Sequence, residues 1–166
     1  TGWEFYQSPF QSFYIFEDLQ IDGQAPIGDG WAPSLTQESE CLNNLNTCDV
    51  IGAFLNDICI GWVYADSEGG TTLPVMGYDD TNSETQINTF GYAEPGDVPE
   101  VKFYDSSTGF ILDLSTSNDL PIWSLNFAHI IYNISFANNG ILAPNVGWSY
   151  FQTSQQAFYL FENILI

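Results

Sequence analysis

Short apolar runs separated by turn residues are the feature that most constrains this chain. Runs such as "FYIF", "VIGAFL", "ICIGWVY" and "VKFYD" are rich in aromatic and β-branched residues, and Gly, Pro, Asp or Asn follow them closely. Strands have this composition, and clusters of turn residues end them. Lys and Arg, which usually line the wet face of a surface helix, total one residue in 166. The pattern predicts an all-β fold without helices: an antiparallel, jelly-roll-like β-sandwich of about ten short strands with long loops.

The first strand, "QSFYIFEDLQI", has the two-residue period of a strand and so divides its side chains between two faces. Phe13, Glu17 and Leu19 share one face, and Tyr14 and Phe16 share the other. If the face with Glu17 is buried, its carboxylate needs a metal ion or a hydrogen-bond donor, because an unpaired buried charge is costly. If Tyr14 and Phe16 face the core, Glu17 lies in water. The alternation by itself leaves both arrangements open.

Two further local patterns locate strands in the middle of the chain. "DVIGAFL" and "ICIGWVY" are separated by Asn56-Asp57, which predicts a β-hairpin. "TTLPVMGY" reads as another strand, and its Pro74 cannot donate a ladder hydrogen bond. We therefore expect this strand to lie at a sheet edge or to carry a bulge.

The two ends of the chain repeat each other. Residues 2–21 and 147–166 align without gaps, with nine identical residues in twenty and an offset of 147 − 2 = 145 positions. Self-similarity at the period of a whole domain predicts tandem units. Residues 1–146 are then one β-sandwich repeat, and residues 147–166 are the opening strands of the next. We expect this second copy to pack on this unit or a neighbouring one through Trp148, Phe158, Leu160, Glu162 and Ile164.

The charge balance is extreme, with 21 acidic residues, one basic residue and a formal net charge of −20. Nucleic acids and anionic membranes are bound through Lys and Arg, so the sequence argues against both partners. Hard divalent cations, Ca²⁺ above all, suit clustered carboxylates. The acidic turn "YDDTNSE" supplies alternating oxygen ligands, although an ordinary polar loop has the same composition. The predicted calcium ligands are Asp57, Asp79, Asp80, Asn82 and Glu84.

Three cysteines indicate the compartment. Cys41 and Cys48 flank the short polar stretch "LNNLNT", which predicts a disulfide-closed loop. Such bonds persist outside the cytoplasm, so we expect an extracellular or cell-surface location. Cys59 lies in a strand-like run and is expected to be a buried thiol, while its pairing with Cys41 or Cys48 stays open.

Several aromatic residues suggest a second kind of site. Carbohydrate-binding modules stack exposed aromatic rings on sugars, although aromatic residues in strands more often belong to the core. The candidates for such a platform are Trp31, Trp62, Tyr64, Tyr78 and Trp123.

The remaining candidate residues do not predict an enzyme. Asn133 begins an Asn-Ile-Ser glycosylation pattern. Lys102 is either a charge that protects a strand edge or one half of an isopeptide cross-link. His129 lies in the apolar run "FAHIIY", where we expect a hydrogen-bonded core residue. No nucleophile in the sequence has a recognisable base beside it.

The series "DVIGAFLNDICIG", "PVMGYDD" and "KFYD" resembles a β-rich module of large secreted proteins of marine and environmental bacteria. The positions that carry the resemblance are Asp49, Gly52, Asp57, Cys59, Gly61, Pro74, Met76, Gly77, Asp80, Pro95, Gly96, Tyr104 and Asp105. The resemblance implies an extracellular, often tandem repeat in adhesin-like or surface-anchored chains.

Together these features predict a calcium-stabilised structural or adhesive repeat. Its units would assemble with each other into a fibre, filament or sheath by sharing strands. The alternative is a carbohydrate-binding module of a secreted protein, with glycans as partners.

Overall fold

The structure is a computed structural model that describes residues 2–31, 40–43, 47–68, 70–113, 120–132, 134–136 and 141–142. Asn133 and the second copy, residues 147–166, lie outside the described residues, as do Trp148, Phe158, Leu160, Glu162 and Ile164 of the predicted inter-unit contact. The strands are β1 (Gln11–Glu17), β2 (Gln20–Ile21), β3 (Val50–Leu55), β4 (Ile58–Tyr64), β5 (Thr71–Met76), β6 (Glu100–Asp105), β7 (Phe110–Asp113), β8 (Ala128–Tyr132), β9 (Ser135–Phe136) and β10 (Ile141–Leu142). Two short helices, α1 (Glu40–Asn43) and α2 (Ser83–Asn88), complete the described elements.

The strands form three sheets in the described part of the chain. A three-stranded sheet has the order β5–β1–β8, a five-stranded sheet the order β10–β7–β6–β3–β4, and β2 pairs with β9. The predicted all-β sandwich is therefore confirmed. Five of the seven ladders are antiparallel, whereas β1–β8 and β2–β9 are parallel. The parallel pairs join segments far apart in sequence, which no local pattern could reveal.

The main core lies between the three-stranded and five-stranded sheets. Tyr14 and Phe16 of β1 are fully buried there, together with Ile51 and Phe103 of the larger sheet. Glu17 is exposed. Of the two arrangements that the alternation allowed, the structure thus has the aromatic pair inside and the carboxylate in water.

Leu19 departs from the predicted alternation. We expected it on the same face as Glu17, but Leu19 is buried in the core. The residue between them, Asp18, has φ of 57°. This left-handed conformation turns the chain between β1 and β2, so the two-residue period does not continue through it.

The predicted hairpin is confirmed. Asn56 and Asp57 connect β3 and β4 with φ of 47° and 66°. Positive φ at both central residues is the requirement of a type I′ turn, which Asn and Asp tolerate better than most residues. The ladder shifts register between Ala53 and Phe54, where it carries a bulge or irregularity.

Pro74 lies in an edge strand, where a residue without an amide hydrogen is tolerated. Its strand, β5, is an edge strand of the three-stranded sheet, as predicted, and Pro74 faces Phe13 of β1. On its other side β5 approaches β4 of the larger sheet. A Cβ atom added to Gly61 would collide with the Pro74 carbonyl oxygen, so only glycine allows this approach.

A second, smaller core covers the other face of the five-stranded sheet. Cys41 and Cys48 form the predicted disulfide, with 5.7 Å between their Cα atoms. Both pack with Val50 and Tyr64. Because β3 is covered on both faces, Val50 to Phe54 are buried without interruption, which explains the continuous apolar run in the sequence.

The absence of helices was predicted wrongly. The acidic turn contains α2, whose N-cap is Asn82: its side-chain oxygen accepts hydrogen bonds from the amides of Glu84 and Thr85, at 3.0 Å each. Asn is a favoured N-cap residue, and an acidic residue in the first turn complements the helix dipole. No helix in the described segments has the length and apolar character needed to cross a membrane.

Candidate assembly surface

The three-stranded sheet has an apolar face that points away from the core, and we call this the outer face. The register places Ile15 between Thr72 and Ile130, and Glu17 beside Tyr132. Ile130 is 53% exposed and Tyr132 is 60% exposed. Contiguous exposed apolar patches mark interaction sites more often than single exposed side chains do. The outer face consists of Phe13, Ile15, Pro74, Ile130 and Tyr132.

Strand β8 also presents an open edge. The amide of Phe13 donates a hydrogen bond to the Phe127 carbonyl at 2.8 Å. Backbone groups of a strand point alternately to its two sides, so those of Ala128, Ile130 and Tyr132 point away from β1. No other strand pairs with β8 in the described part of the chain. An open strand edge beside exposed apolar side chains is suited to pairing with another strand.

His129 lies on the inner side of β8, between two aromatic rings. Its ring centroid is 4.8 Å from that of Tyr14 and 4.7 Å from that of Phe127. Burial lowers the pKa of His129, so the ring is neutral at pH 7. We predicted a hydrogen-bonded core histidine, but among the described residues its buried Nε2 has no hydrogen-bond partner. Aromatic contacts therefore hold the ring in place.

A second group of exposed apolar side chains lies at and beside α2. Ile87 is 73% exposed and Phe90 is 76% exposed, and Ile58 at the start of β4 is 38% exposed. Ile87 and Phe90 are more accessible than Ile130 and Tyr132 of the outer face. They differ because they sit on a short helix and a turn, without an open strand edge beside them.

The predicted calcium ligands have other partners in the structure. The buried Asp79 carboxylate accepts hydrogen bonds from Thr81, from Oγ1 at 2.6 Å and from the amide at 2.9 Å. These bonds hold the pKa of Asp79 below its usual value. Asn82 caps α2, and Asp57 lies 3.5 Å from the Lys102 amine.

Asp80 and Glu84, the other two predicted ligands, are exposed. Across the described residues, no three His, Cys, Asp or Glu side chains are grouped as ligands of one cation. Asp79 and Asn82 thus have structural roles in the turn and at the helix end. Calcium binding at this turn stays a prediction.

The structure instead brings together two buried carboxylates that no sequence pattern pairs. Asp49 accepts hydrogen bonds from the Ile27 amide at 2.7 Å and from the Ser106 amide and hydroxyl at 2.8 Å each. The neighbouring Asp105 accepts from the hydroxyls of Ser107 and Thr108, both at 2.7 Å. These bonds tie the loops at one end of the five-stranded sheet to its strands. The only sequence signal is that each Asp ends or begins a strand next to a turn.

The candidate sugar-binding aromatic residues are dispersed among different environments. Trp123 is buried and donates its indole N–H to the Val75 carbonyl at 3.0 Å, and Tyr64 belongs to the smaller core. Trp62 stands edge-on to Tyr64, with an angle of 83° between the rings. Trp31 is 47% exposed. These positions do not provide the exposed, coplanar rings that stacking on a sugar requires.

Comparison with known proteins gives no match, since no family model, no curated protein and no solved structure matches the chain. The outer face was not predicted either. The run "AHIIYN" has apolar residues at consecutive positions, so alternation could not show which of them face solvent.

Proposed function

We propose that this chain is an extracellular structural repeat that assembles with other copies of itself into a fibre, filament or sheath. The single observation that supports this function best is the combination of the outer face with the open edge of β8. Both features suit strand pairing with another β-rich unit. The repeated segment at residues 147–166 supplies a strand of the right composition within the same chain.

The charge of the chain sets the conditions for assembly. A net charge of −20 makes identical units repel one another over distances of about a Debye length, roughly 8 Å at physiological salt. The described part of the outer face has the carboxylate of Glu17 at its border, beside Tyr132. Contact through this face therefore brings apolar side chains together, while most of the acidic residues stay in water.

The disulfide supports an extracellular location for the assembly. The bond between Cys41 and Cys48 closes a loop that packs on the five-stranded sheet. Such bonds form and persist in oxidising compartments. We propose that Ca²⁺ or a similar cation further stabilises the assembled material by reducing the repulsion between units.

The experiment compares two pairs of substitutions on exposed apolar residues. Ile130→Thr with Tyr132→Thr removes apolar surface from the outer face but keeps residues that favour strands. Ile87→Gln with Phe90→Gln removes a similar surface from α2 and is the matched control. Sedimentation velocity and negative-stain electron microscopy of the purified chain measure the assembly.

We expect the outer-face pair to abolish assembly and the α2 pair to leave it unchanged, with both variants folded by circular dichroism. A wild-type chain that stays monomeric at all concentrations and salt conditions would refute the proposed function. Equal loss of assembly in both variants would refute the role of the outer face.

A further inference from the structure

We infer that the second copy of a neighbouring chain occupies the position of β1, between β5 and β8, so that the units assemble by exchanging this strand. This inference rests on the proposed self-assembly of the chain, and it places the contact at the β1 position in the core rather than on the outer face. The occupant is residues 156–162, which correspond in the alignment to β1 at Gln11–Glu17. The acceptor is the sheet β5–β1–β8, in which β1 is the central strand.

The side chains that fix β1 in the core are the same in both copies. Tyr14 and Phe16 are fully buried, and their counterparts are Tyr159 and Phe161. The Tyr14 hydroxyl donates to the Pro121 carbonyl at 2.8 Å, a bond that a second tyrosine can also make. Buried side chains determine which segment can take the place of β1. The second copy has the same two aromatic residues at the buried positions, so it can fit there.

The differences between the copies are small at the remaining positions. Ile15 is replaced by Leu160, on the outer face where the side chain is only half-buried. Ser12 is replaced by Ala157, which removes one hydrogen bond from the serine hydroxyl to the Phe127 carbonyl, 2.9 Å long. The ladders on both sides of β1 are formed by backbone groups, which any non-proline segment supplies. Residues 156–162 contain no proline.

A strand from a neighbour could replace β1 or add to the open edge of β8, and only replacement puts its two aromatic rings where Tyr14 and Phe16 lie. An added strand at that edge would lie beside β8, where His129 and Ile131 on the inner side are only partly buried. The β1 position is the one at which two aromatic rings of this sequence become fully buried. The β1 position therefore gives the repeated spacing of Tyr159 and Phe161 a physical role, and in this position Phe158 and Leu160 would face the outer side.

The test uses the register of β1 and β5, in which Ile15 lies opposite Thr72. A neighbour's Leu160 in the β1 position would take the place of Ile15, at a distance that a disulfide can bridge. Two full-length chains are prepared, one with Thr72→Cys and one with Leu160→Cys, each in a Cys59→Ser background. They are mixed, unfolded in denaturant without reductant, refolded together and left to oxidise in air.

We expect heterodimers linked between positions 72 and 160, identified by mass spectrometry of the linked peptides. The matched control replaces Leu160→Cys by Thr153→Cys, which lies in the same copy but corresponds to Ser8, before β1 begins. This control should give no specific link.

Adding Phe161→Ala to the Leu160→Cys chain should reduce the heterodimer yield by about tenfold or more, because a buried ring is lost from the β1 position. Adding Phe16→Ala to the Thr72→Cys chain should increase the yield, because its own β1 competes less well.

Assembly without the link between positions 72 and 160 would overturn the inference and leave the proposed function standing. A link from position 160 to Ile130→Cys without any link to Thr72→Cys would show addition at the β8 edge, and this also overturns it. Absence of assembly in the wild-type chain would instead refute the proposed function itself.

Discussion

Asp49 and Asp105 are neighbouring buried carboxyl groups whose pKa values are shifted in opposite directions. Burial raises the pKa of Asp49 more than its hydrogen bonds from Ile27 and Ser106 lower it, and the charge of Asp105 adds to the increase. Burial also raises the pKa of Asp105, but the bonds from Ser107 and Thr108 outweigh it, so the pKa of Asp105 is lowered. The balance between burial and the hydrogen bonds that reach each carboxylate decides the direction.

Asp105 makes one contribution to the pH dependence of stability. A carboxyl group whose folded-state pKa lies below its unfolded value stabilises the fold above the unfolded pKa and loses that contribution as the pH falls through the folded pKa. Asp105→Asn should therefore reduce the slope of unfolding free energy against pH below about pH 4. Urea unfolding at a series of pH values measures this slope. Asp113→Asn, on the exposed end of β7, is the control and should leave the slope nearly unchanged. An unchanged slope in Asp105→Asn would contradict the contribution assigned to Asp105.

The disulfide gives a second prediction at the scale of single residues. Cys41→Ser with Cys48→Ser opens a loop with a sequence separation of 7, and in the chain-entropy model this costs about 2.5 kcal/mol of unfolding free energy. Cys59→Ser is the control, because Cys59 is a free thiol that contacts the Gly61 carbonyl only at 3.8 Å. Urea unfolding of both variants tests the difference. A loss in the double variant no larger than in Cys59→Ser would show that the loop does not stabilise the domain.

At the scale of the elements, the contact of β4 with β5 leaves the least room for a side chain, because the backbones of the two strands touch. Gly61→Ala should destabilise the domain by about 2 kcal/mol or more, since the new methyl group collides with the Pro74 carbonyl and the two sheets must move apart. Gly70→Ala is the matched control, because the nearest atom to its added Cβ is 3.6 Å away. Thermal unfolding followed by circular dichroism compares them. Equal melting temperatures would mean that the two sheets separate without cost.

The same elements show what a sequence can predict about this fold. The β3–β4 hairpin and the edge position of Pro74 depend on neighbouring residues and were predicted correctly. Which face of β1 is buried depends on what packs against it, so the alternation left Glu17 undecided. The turn at Asp18 and the helix capped by Asn82 were missed because Asp and Asn favour ordinary turns as well as left-handed residues and helix ends.

At the scale of the whole molecule, the sequence predicted the sandwich and the disulfide better than it predicted a site. The all-β class follows from turn spacing and from the lack of basic residues, both of which are sums over the chain. The outer face depends on the parallel pairing of β1 with β8, between residues more than a hundred positions apart. A single sequence carries no signal for such a pairing. The calcium prediction fell on the acidic turn because its acidic residues are neighbours in the sequence.

The net charge of −20 leads to a prediction for the assembled material. Repulsion between units is screened by any salt, so raising NaCl should promote assembly, with the steepest change at low ionic strength. Ca²⁺ that binds to carboxylates should act beyond screening. CaCl₂ at a few millimolar should therefore give more assembly than NaCl adjusted to the same ionic strength, and a chelator should reverse the difference.

Light scattering measures assembly in both salts, in the wild-type chain and in a variant with Asp80→Asn and Glu84→Gln, two exposed members of the predicted calcium site. If matched NaCl and CaCl₂ give equal scattering, calcium acts by screening alone; if the variant keeps the full calcium effect, the ligands lie elsewhere than this turn.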